Sequence, residues 1–306
     1  MSAVLSPIDP FAAVRPGRYR DALVDVVQGP AAPTGALRTP SFAVWTDREH
    51  VHLSHRLAAG EIDNDLAGRV AAELFAPGWL SGSELFERLV TGIVVSSADE
   101  PLAAWENFYR NTLTRLEELA WPGNGPSAAP EAGPDAGHVE GSLAEYAPVY
   151  AHARSLVSTH SVLELGSCFG FFSLLLAGGH AVTASDVTAN TVRLLARVAP
   201  GLGLALDALI CDAARVPRPD RTYGTVVALH LLEHLAEEHG RAVVAEAQRL
   251  AEHRVVVAVP FEDEPTAAYG HVRTFDLDRL AELGRASGWE WSVHEHHGGW
   301  LVLDRP

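Results

Sequence analysis

One short segment, 162–170, constrains the fold of this chain more than any other. It reads Val-Leu-Glu-Leu-Gly-Ser-Cys-Phe-Gly, so a short apolar strand leads into a loop that contains glycines. The apolar segment 171–177 follows at once and is predicted to form a helix. Glycines let a ligand approach the backbone closely, and the N-terminus of a helix offers unpaired N–H groups. Strand, glycine loop and helix together predict a binding site for a nucleotide-like ligand.

The loop has the pattern Glu-x-Gly-x-Cys-x-Gly, which is neither a dinucleotide fingerprint nor a phosphate loop, since the chain contains no lysine. It resembles the first motif of the class I S-adenosylmethionine-dependent methyltransferases, acidic-x-Gly-x-Gly-x-Gly, with a cysteine in place of the central glycine. This resemblance implies a cofactor loop formed by Glu164, Gly166, Ser167, Cys168 and Gly170. The cysteine leaves the detailed shape of the loop open, and a tight turn without a ligand is the alternative.

Composition excludes several classes of protein. The chain has 306 residues, 47% of them hydrophobic, and a formal net charge of −16, which argues against a nucleic-acid partner. Two cysteines, Cys168 and Cys211, cannot form a disulfide framework, so reduced thiols in the cytoplasm are expected. The first residues do not form a signal peptide, and no apolar run approaches the roughly 18 residues of a membrane span.

The segment 121–141 is rich in proline, glycine and alanine and predicts a linker between two domains. Residues 1–120 mix strand and helix patterns and predict a smaller α+β domain for substrate recognition or dimerisation, with a winged-helix module as one possibility. Residues 142–306 alternate strands and helices and predict an α/β, Rossmann-like methyltransferase core with an antiparallel edge. Its seven predicted strands are 162–165, 181–185, 204–210, 224–229, 254–259, 290–294 and 300–303.

Two further strand ends are expected to bind the cofactor, because ligands of such sheets lie beyond the carboxyl ends of the strands. Asp186 ends the second strand, and the resemblance implies that it accepts hydrogen bonds from the ribose hydroxyls, with Val187 beside it. Asp212 and Ala213 follow the third strand, where the family contacts the adenine. The alternatives are a helix cap for Asp186 and a plain surface acid for Asp212.

The fourth strand runs into His230-Leu-Leu-Glu233-His234, the second informative motif. If the segment is helical, two imidazoles and one carboxylate share a face, which is an arrangement that binds metals. The motif resembles the Glu-x-x-Glu-His of ubiquinone-type O-methyltransferases and small-RNA 2′-O-methyltransferases, with His230 in place of the first glutamate. His271, after the fifth strand, stands where the RNA enzymes have a further histidine ligand. The resemblance implies a divalent metal on His230, Glu233, His234 and His271, and His230 is also expected to bind the cofactor.

Three interpretations of this centre stay open. A metal with three imidazole ligands would favour manganese, iron, cobalt or zinc over magnesium. Without a metal, His234 or His271 would be a general base, with Glu233 assisting. Alternatively, the motif only packs or contacts the cofactor. A second group, His294-Glu-His296-His297, is predicted to be a solvated strand end rather than a metal site.

A histidine-rich centre points to an oxygen acceptor, because an alcohol needs a base or a metal before it can attack a methyl group. A metal would favour a sugar or another vicinal diol. Through its cofactor loop, the segment 105–110 and its length, the chain also resembles the actinobacterial methyltransferases of mycofactocin biosynthesis, which methylate a glucose hydroxyl on a peptide-linked oligosaccharide. The expected partner is thus a small-molecule or peptide-linked sugar, without nucleic acid or membrane, and a homodimer is possible. The alternatives are a metal-independent phenol or carboxyl methyltransferase and a non-catalytic module that binds the cofactor or a peptide.

Overall fold

The computed structural model of the protein describes residues 6–12, 15–30, 32–121, 142–266 and 270–306. The chain divides into two compact units, Met1–Ala144 and Glu145–Pro306. Except for Trp121, the predicted linker lies outside the described residues, so it stays a prediction together with the roles assigned to the two domains. No helix among the described segments is long and apolar enough to cross a membrane.

The N-terminal unit contains a five-stranded sheet of order β1-β2-β5-β4-β3. Its elements are β1 (Arg18–Arg20), β2 (Val24–Gln28), β3 (Leu37–Arg38), β4 (Phe42–Thr46), β5 (Val51–His55), α1 (Leu66–Val70), α2 (Ser83–Val95) and α3 (Pro101–Ala120). Strands β2 and β5 pair in parallel, unlike the small antiparallel wing of a winged-helix module, so that prediction is wrong. Strand β2 was not predicted because Asp25 interrupts its apolar pattern. Asp25 is buried and accepts a hydrogen bond of 2.7 Å from Nε of Arg18.

The C-terminal unit confirms the predicted α/β, Rossmann-like fold. Its seven strands have the order β11-β12-β10-β9-β6-β7-β8, and β12 runs antiparallel to both β10 and β11, whereas the other neighbouring strands are parallel to each other. The elements are α4 (Leu143–Leu156), β6 (Ser161–Leu165), α5 (Phe171–Ala177), β7 (Ala181–Asp186), α6 (Ala189–Val198), β8 (Asp207–Ile210), β9 (Tyr223–Leu229), α7 (Glu237–Leu250), β10 (Ala251–Val259), α8 (Leu277–Ser287), β11 (Glu290–Glu295) and β12 (Gly299–Asp304).

The central strand β9 shows why the sheet has helices on both faces. Every residue of Tyr-Gly-Thr-Val-Val-Ala-Leu is buried, as expected of a parallel strand covered on both sides. Val226 packs on the face covered by α7 and α8, whereas Val227 packs on the face covered by α4 and α5. The strand order reverses between β6 and β9, so the loops after these two strands border one crevice. This topology brings the glycine loop next to the histidine-rich segment.

Candidate active site

The loop after β6 takes the shape that a glycine-rich cofactor loop requires. Gly166 and Gly170 have φ angles of +69° and +75°, and Cys168 between them has φ +48°. A side chain on Gly166 would stand 2.7 Å from Leu231, and one on Gly170 would collide with Leu195. Glycine therefore fits both positions better than a residue with a side chain would, and Cys168 between them also has a left-handed backbone.

Glu164 holds this loop against α5. Its carboxylate is buried and accepts hydrogen bonds from the amide of Ser173, at 3.0 Å, and from the Ser173 hydroxyl. Burial raises the pKa of Glu164 to about 7, although the bonds from Ser173 oppose this shift. Glu164 thus stabilises the loop through its bonds to Ser173. A direct contact of Glu164 with the cofactor stays a prediction.

Asp186 lies at the carboxyl end of β7, across from the glycine loop. Its two oxygens accept the amide N–H of Cys168 at 2.9 Å and that of Thr188 at 2.8 Å. Carboxylate oxygens have lone pairs for further bonds, so the group can still accept from a diol. Val187 beside it leaves 73% of its surface exposed, which is unusual for valine and offers an apolar cover for an aromatic base.

Asp212 lies just beyond the end of β8. A hydrogen bond of 3.0 Å from the Cys211 amide to the Asp186 carbonyl joins the end of β8 to the end of β7. Asp212 accepts the Ala214 amide and the His239 ring nitrogen, each at 2.9 Å, and these bonds lower its pKa. Ala213 packs partly against the core. The structure therefore brings the predicted ribose and adenine residues to one edge of the sheet.

Two tyrosines of α4 join this edge, and sequence reasoning missed them. Tyr146 and Tyr150 stack with ring centroids 5.8 Å apart, and Tyr146 lies 5.6 Å from the His230 ring. Tyr150 lies 5.6 Å from Phe172 in α5, and burial raises its pKa well above the usual value. The available signal was an aromatic pair four residues apart on the helix that leads into the first strand.

The segment after β9 does not form the predicted helical face. His230 has φ +50°, and only Leu232–His234 makes a short 3₁₀ turn. The amide of His230 still bonds the Ala258 carbonyl of β10, at 2.9 Å, so the chain must turn sharply where the sheet ends. Glu233 is consequently buried, with 1% of its surface exposed, while His234 lies at the surface.

The structure nevertheless gathers three of the four predicted metal ligands. Single ligand atoms of Glu233, His234 and His271 all lie within 4.8 Å of one another. A bond of 2.8 Å from the Val272 amide to the Glu233 carbonyl joins the two loops that carry them. The role of His230 as a fourth ligand stays a prediction. Its Nδ1 lies 3.9 Å from the Glu233 carboxylate, but it is outside the group of three that the described residues form.

Glu262 is the acidic partner of this centre that sequence reasoning missed. It accepts hydrogen bonds from Nδ1 of His271 at 2.8 Å and from the Thr266 hydroxyl at 2.7 Å. Burial opposes its charge, but these bonds prevail and its pKa lies below the usual value. Because Nδ1 of His271 donates to a carboxylate, Nε2 is left as the lone-pair nitrogen. The signal was an acid three residues after the end of β10.

The centre is electrostatically unsatisfied. Both carboxylate oxygens of Glu233 are buried and find no hydrogen-bond partner among the described residues, and burial raises the pKa of this carboxyl to about 8. Nε2 of His230 is also buried and has no partner within the described segments, and burial lowers the pKa of this ring to about 4. A buried carboxylate without a partner is costly, so a cation beside Glu233 would satisfy it.

Of the histidines in the terminal hairpin, His296 and His297 are exposed, in line with the predicted solvated strand end, whereas His294 is partly buried. Nε2 of His294 lies 2.7 Å from Nε2 of His152 in α4, and the His296 ring is centred 4.4 Å from that of His152. Trp300 contacts His152 edge to face. His152 and His294 are partly buried, and burial lowers the pKa values of both rings. His152 could not be found from the sequence because it lies far from the hairpin along the chain.

Fold and site together define a class of enzyme. Residues 162–253 match the family model described as a methyltransferase domain, which includes the glycine loop, Asp186, Asp212 and the segment 230–234. Residues 162–253 therefore belong to a methyltransferase domain with a Rossmann-like core, and this match supports an S-adenosylmethionine-dependent enzyme. No curated protein matches the chain in sequence.

Three solved structures are among those similar to this chain. A methyltransferase-like protein of Bacillus halodurans is 18% identical over 48% of this chain and 70% of its own, with a TM-score of 0.42. A SAM-dependent methyltransferase of Aquifex aeolicus is 17% identical over 51% of this chain and 87% of its own, with a TM-score of 0.43. Magnesium protoporphyrin IX methyltransferase of Synechocystis, solved with SAM, is 19% identical over 52% of this chain and 76% of its own, with a TM-score of 0.40. At these TM-scores the similarities say nothing further about the activity of this chain.

Proposed function

We propose that this enzyme transfers the methyl group of S-adenosylmethionine to a hydroxyl oxygen. The observation that carries the proposal is the pair formed by His271 and Glu262, next to the buried carboxylate of Glu233. In the reaction the acceptor oxygen bonds to the methyl carbon, the carbon–sulfur bond breaks, and S-adenosylhomocysteine leaves. Without a metal, the hydroxyl proton would move to Nε2 of His271, and Glu262 would stabilise the imidazolium; with a metal on Nε2, Lewis acidity would replace this base.

An oxygen acceptor explains why the chain has this base. The methyl group is already activated on the sulfonium, so the protein supplies alignment and a destination for the proton. An amine needs little more than alignment, and a carboxylate acceptor is already deprotonated at neutral pH. The alternative of a carboxyl methyltransferase therefore leaves the His271–Glu262 pair without a task. A phenol would use the His271–Glu262 pair, so a catechol belongs among the acceptors to be compared.

The donor set also fits a divalent metal. One carboxylate and two imidazoles suit manganese, iron, cobalt or zinc better than magnesium, which prefers oxygen. The unpartnered oxygens of Glu233 support this assignment, because a cation would offset their burial. Glu233, His234 and His271 would hold the ion, while Glu262 orients the His271 ring. A metal bound there would supply Lewis acidity toward the acceptor oxygen.

A sugar with neighbouring hydroxyls is the acceptor that we propose. A vicinal diol could contact a metal at this centre through both of its hydroxyls, which an isolated alcohol cannot. The peptide-linked oligosaccharide of mycofactocin is the particular candidate, on the resemblance of the cofactor loop and the segment 105–110. The N-terminal unit would then recognise the acceptor or form a homodimer, and neither a nucleic acid nor a membrane takes part.

The test is the formation of S-adenosylhomocysteine from S-adenosylmethionine with methyl glucosides, a catechol and an aliphatic amine as acceptors. We expect turnover with a diol sugar, loss of it after chelation, and recovery with Mn²⁺. His271→Gln should lower kcat by about 100-fold or more, the range of general acid–base catalysis. His253→Gln, at an exposed histidine of β10, is the matched control and should leave the rate unchanged. Full activity of His271→Gln, or turnover with the amine alone, would overturn the proposal.

A further inference from the structure

A cavity of about 390 Å³ opens beside the candidate centre. It lies between the start of α7, the segment after β10 and α8, and it is large enough for part of a small ligand. Three of its lining side chains are guanidinium groups, those of Arg241, Arg273 and Arg279. In a chain without lysine and with a net charge of −16, three arginines around one cavity are a marked local concentration of positive charge.

Arg273 is the informative member of this cluster. Its Nε donates to the Leu232 carbonyl at 3.0 Å, and its guanidinium lies over the Phe275 ring, 4.4 Å from the centroid. Nη2, however, is buried and has no hydrogen-bond partner in the part of the chain that the structure describes. It lies against Gly240 of α7, where a Cβ would collide with it. A buried cationic N–H without an acceptor is costly, and an anionic oxygen would supply the missing bond.

The remaining charges leave room for an anion. Arg241 pairs with Glu237 at 2.6 Å, and Arg279 donates to the Thr274 carbonyl at 2.7 Å. Glu282 also lines the cavity, so three positive groups face two negative ones. The first turn of α7 borders the cavity and has no side-chain cap, which leaves amide N–H groups at the positive end of that helix. The balance at this surface is positive, opposite to that of the whole chain.

Backbone hydrogen bonds connect the segment that lines the cavity to the segment that carries Glu233. The Val272 amide bonds the Glu233 carbonyl, and Arg273 bonds the carbonyl of Leu232, so a ligand held by Arg273 is positioned relative to Glu233. We propose that this cavity is an anion-binding subsite for the acceptor, which therefore carries a carboxylate or phosphate group beside the hydroxyl that is methylated. The subsite rests on the proposed function in one respect, namely that its ligand is the acceptor.

Binding can be measured without turnover. Glucose 6-phosphate, glucuronate and glucose are titrated by calorimetry into the full chain with S-adenosylhomocysteine and Mn²⁺. We expect at least one anionic sugar to bind about tenfold more tightly than glucose, and the difference to shrink at high salt. Preference for the phosphate or for the carboxylate identifies which group the acceptor carries. Equal binding of all three sugars would overturn the subsite.

Variants locate the effect. Arg279→Gln, at an exposed position of α8, should reduce the binding of the anionic sugar to the level of glucose. Arg285→Gln, on the same helix but outside the cavity lining, is the matched control and should bind like wild type. An unchanged Arg279→Gln, or an equal loss in the control, would contradict the subsite. If neutral and anionic sugars are methylated equally well, the subsite is refuted and the proposed function stands. If anionic sugars bind at the cavity but no methyl group is transferred, the proposed function is refuted and the anion-binding subsite stands.

Discussion

The buried carboxyl of Glu233 should make the stability of the metal-free protein depend on pH. Burial, followed by the nearby charge of Glu262, raises the pKa of Glu233 from 4.5 to about 8. Between these values the folded state binds more protons than the unfolded state, so the free energy of unfolding falls as pH rises. At about 1.4 kcal/mol per pKa unit, the loss between pH 5 and pH 8.5 is about 4 kcal/mol. Glu233→Gln should remove this loss.

The assay is urea unfolding of the metal-free protein at pH 5 and pH 8.5, with the transition of the C-terminal unit assigned by its shift with S-adenosylhomocysteine. Wild type should lose about 4 kcal/mol more than Glu233→Gln between the two pH values. Glu164, whose pKa of about 7 adds its own pH dependence, is present in both proteins and cancels. Glu252→Gln, at an exposed carboxyl of β10, should behave like wild type. Equal losses in Glu233→Gln and wild type would refute the reasoning.

Three further substitutions test the site. Asp186→Asn should weaken S-adenosylhomocysteine binding by about tenfold or more in calorimetry, because it removes the charged acceptor for the ribose hydroxyls, and unchanged affinity would contradict the ribose assignment. Glu262→Gln should lower kcat by about tenfold or more at constant KM, because His271 loses the carboxylate that orients it, and a change in KM alone would argue against that role. Gly166→Ala, whose Cβ would stand 2.7 Å from Leu231 at φ +69°, should lower the unfolding free energy by about 1–3 kcal/mol in urea, and a neutral result would mean that the loop adapts.

The parts of the fold and site that the sequence predicted depend on local patterns. Strand β9 is a continuous apolar run, and the φ values of the glycine loop follow from its glycines. Asp186 and Asp212 were found because strand ends in a parallel sheet meet at one edge, whatever the details of packing. The grouping of His234 with His271 followed from the same rule, since both come after neighbouring strands.

The features that were missed depend on tertiary contacts. The left-handed turn at His230 follows from its bond to β10, which no local pattern encodes, so the expected helical face did not form. Glu262 becomes part of the site only because the loop after β10 folds back on itself to place it against His271. His152 meets the hairpin histidines from α4, across a long separation in sequence. Burial, rather than residue type, decides the charge state of Glu233.

The most direct test of the catalytic centre is a calorimetric titration of Mn²⁺ into the full chain with S-adenosylhomocysteine present, for wild type and for His234→Ala. One ion should bind per wild-type chain, and binding should be lost in the variant, because Glu233, His234 and His271 form the group that can hold it. Absence of binding to wild type, or equal binding to the variant, would contradict the metal centre and leave His271 and Glu262 as the only means of activating the acceptor.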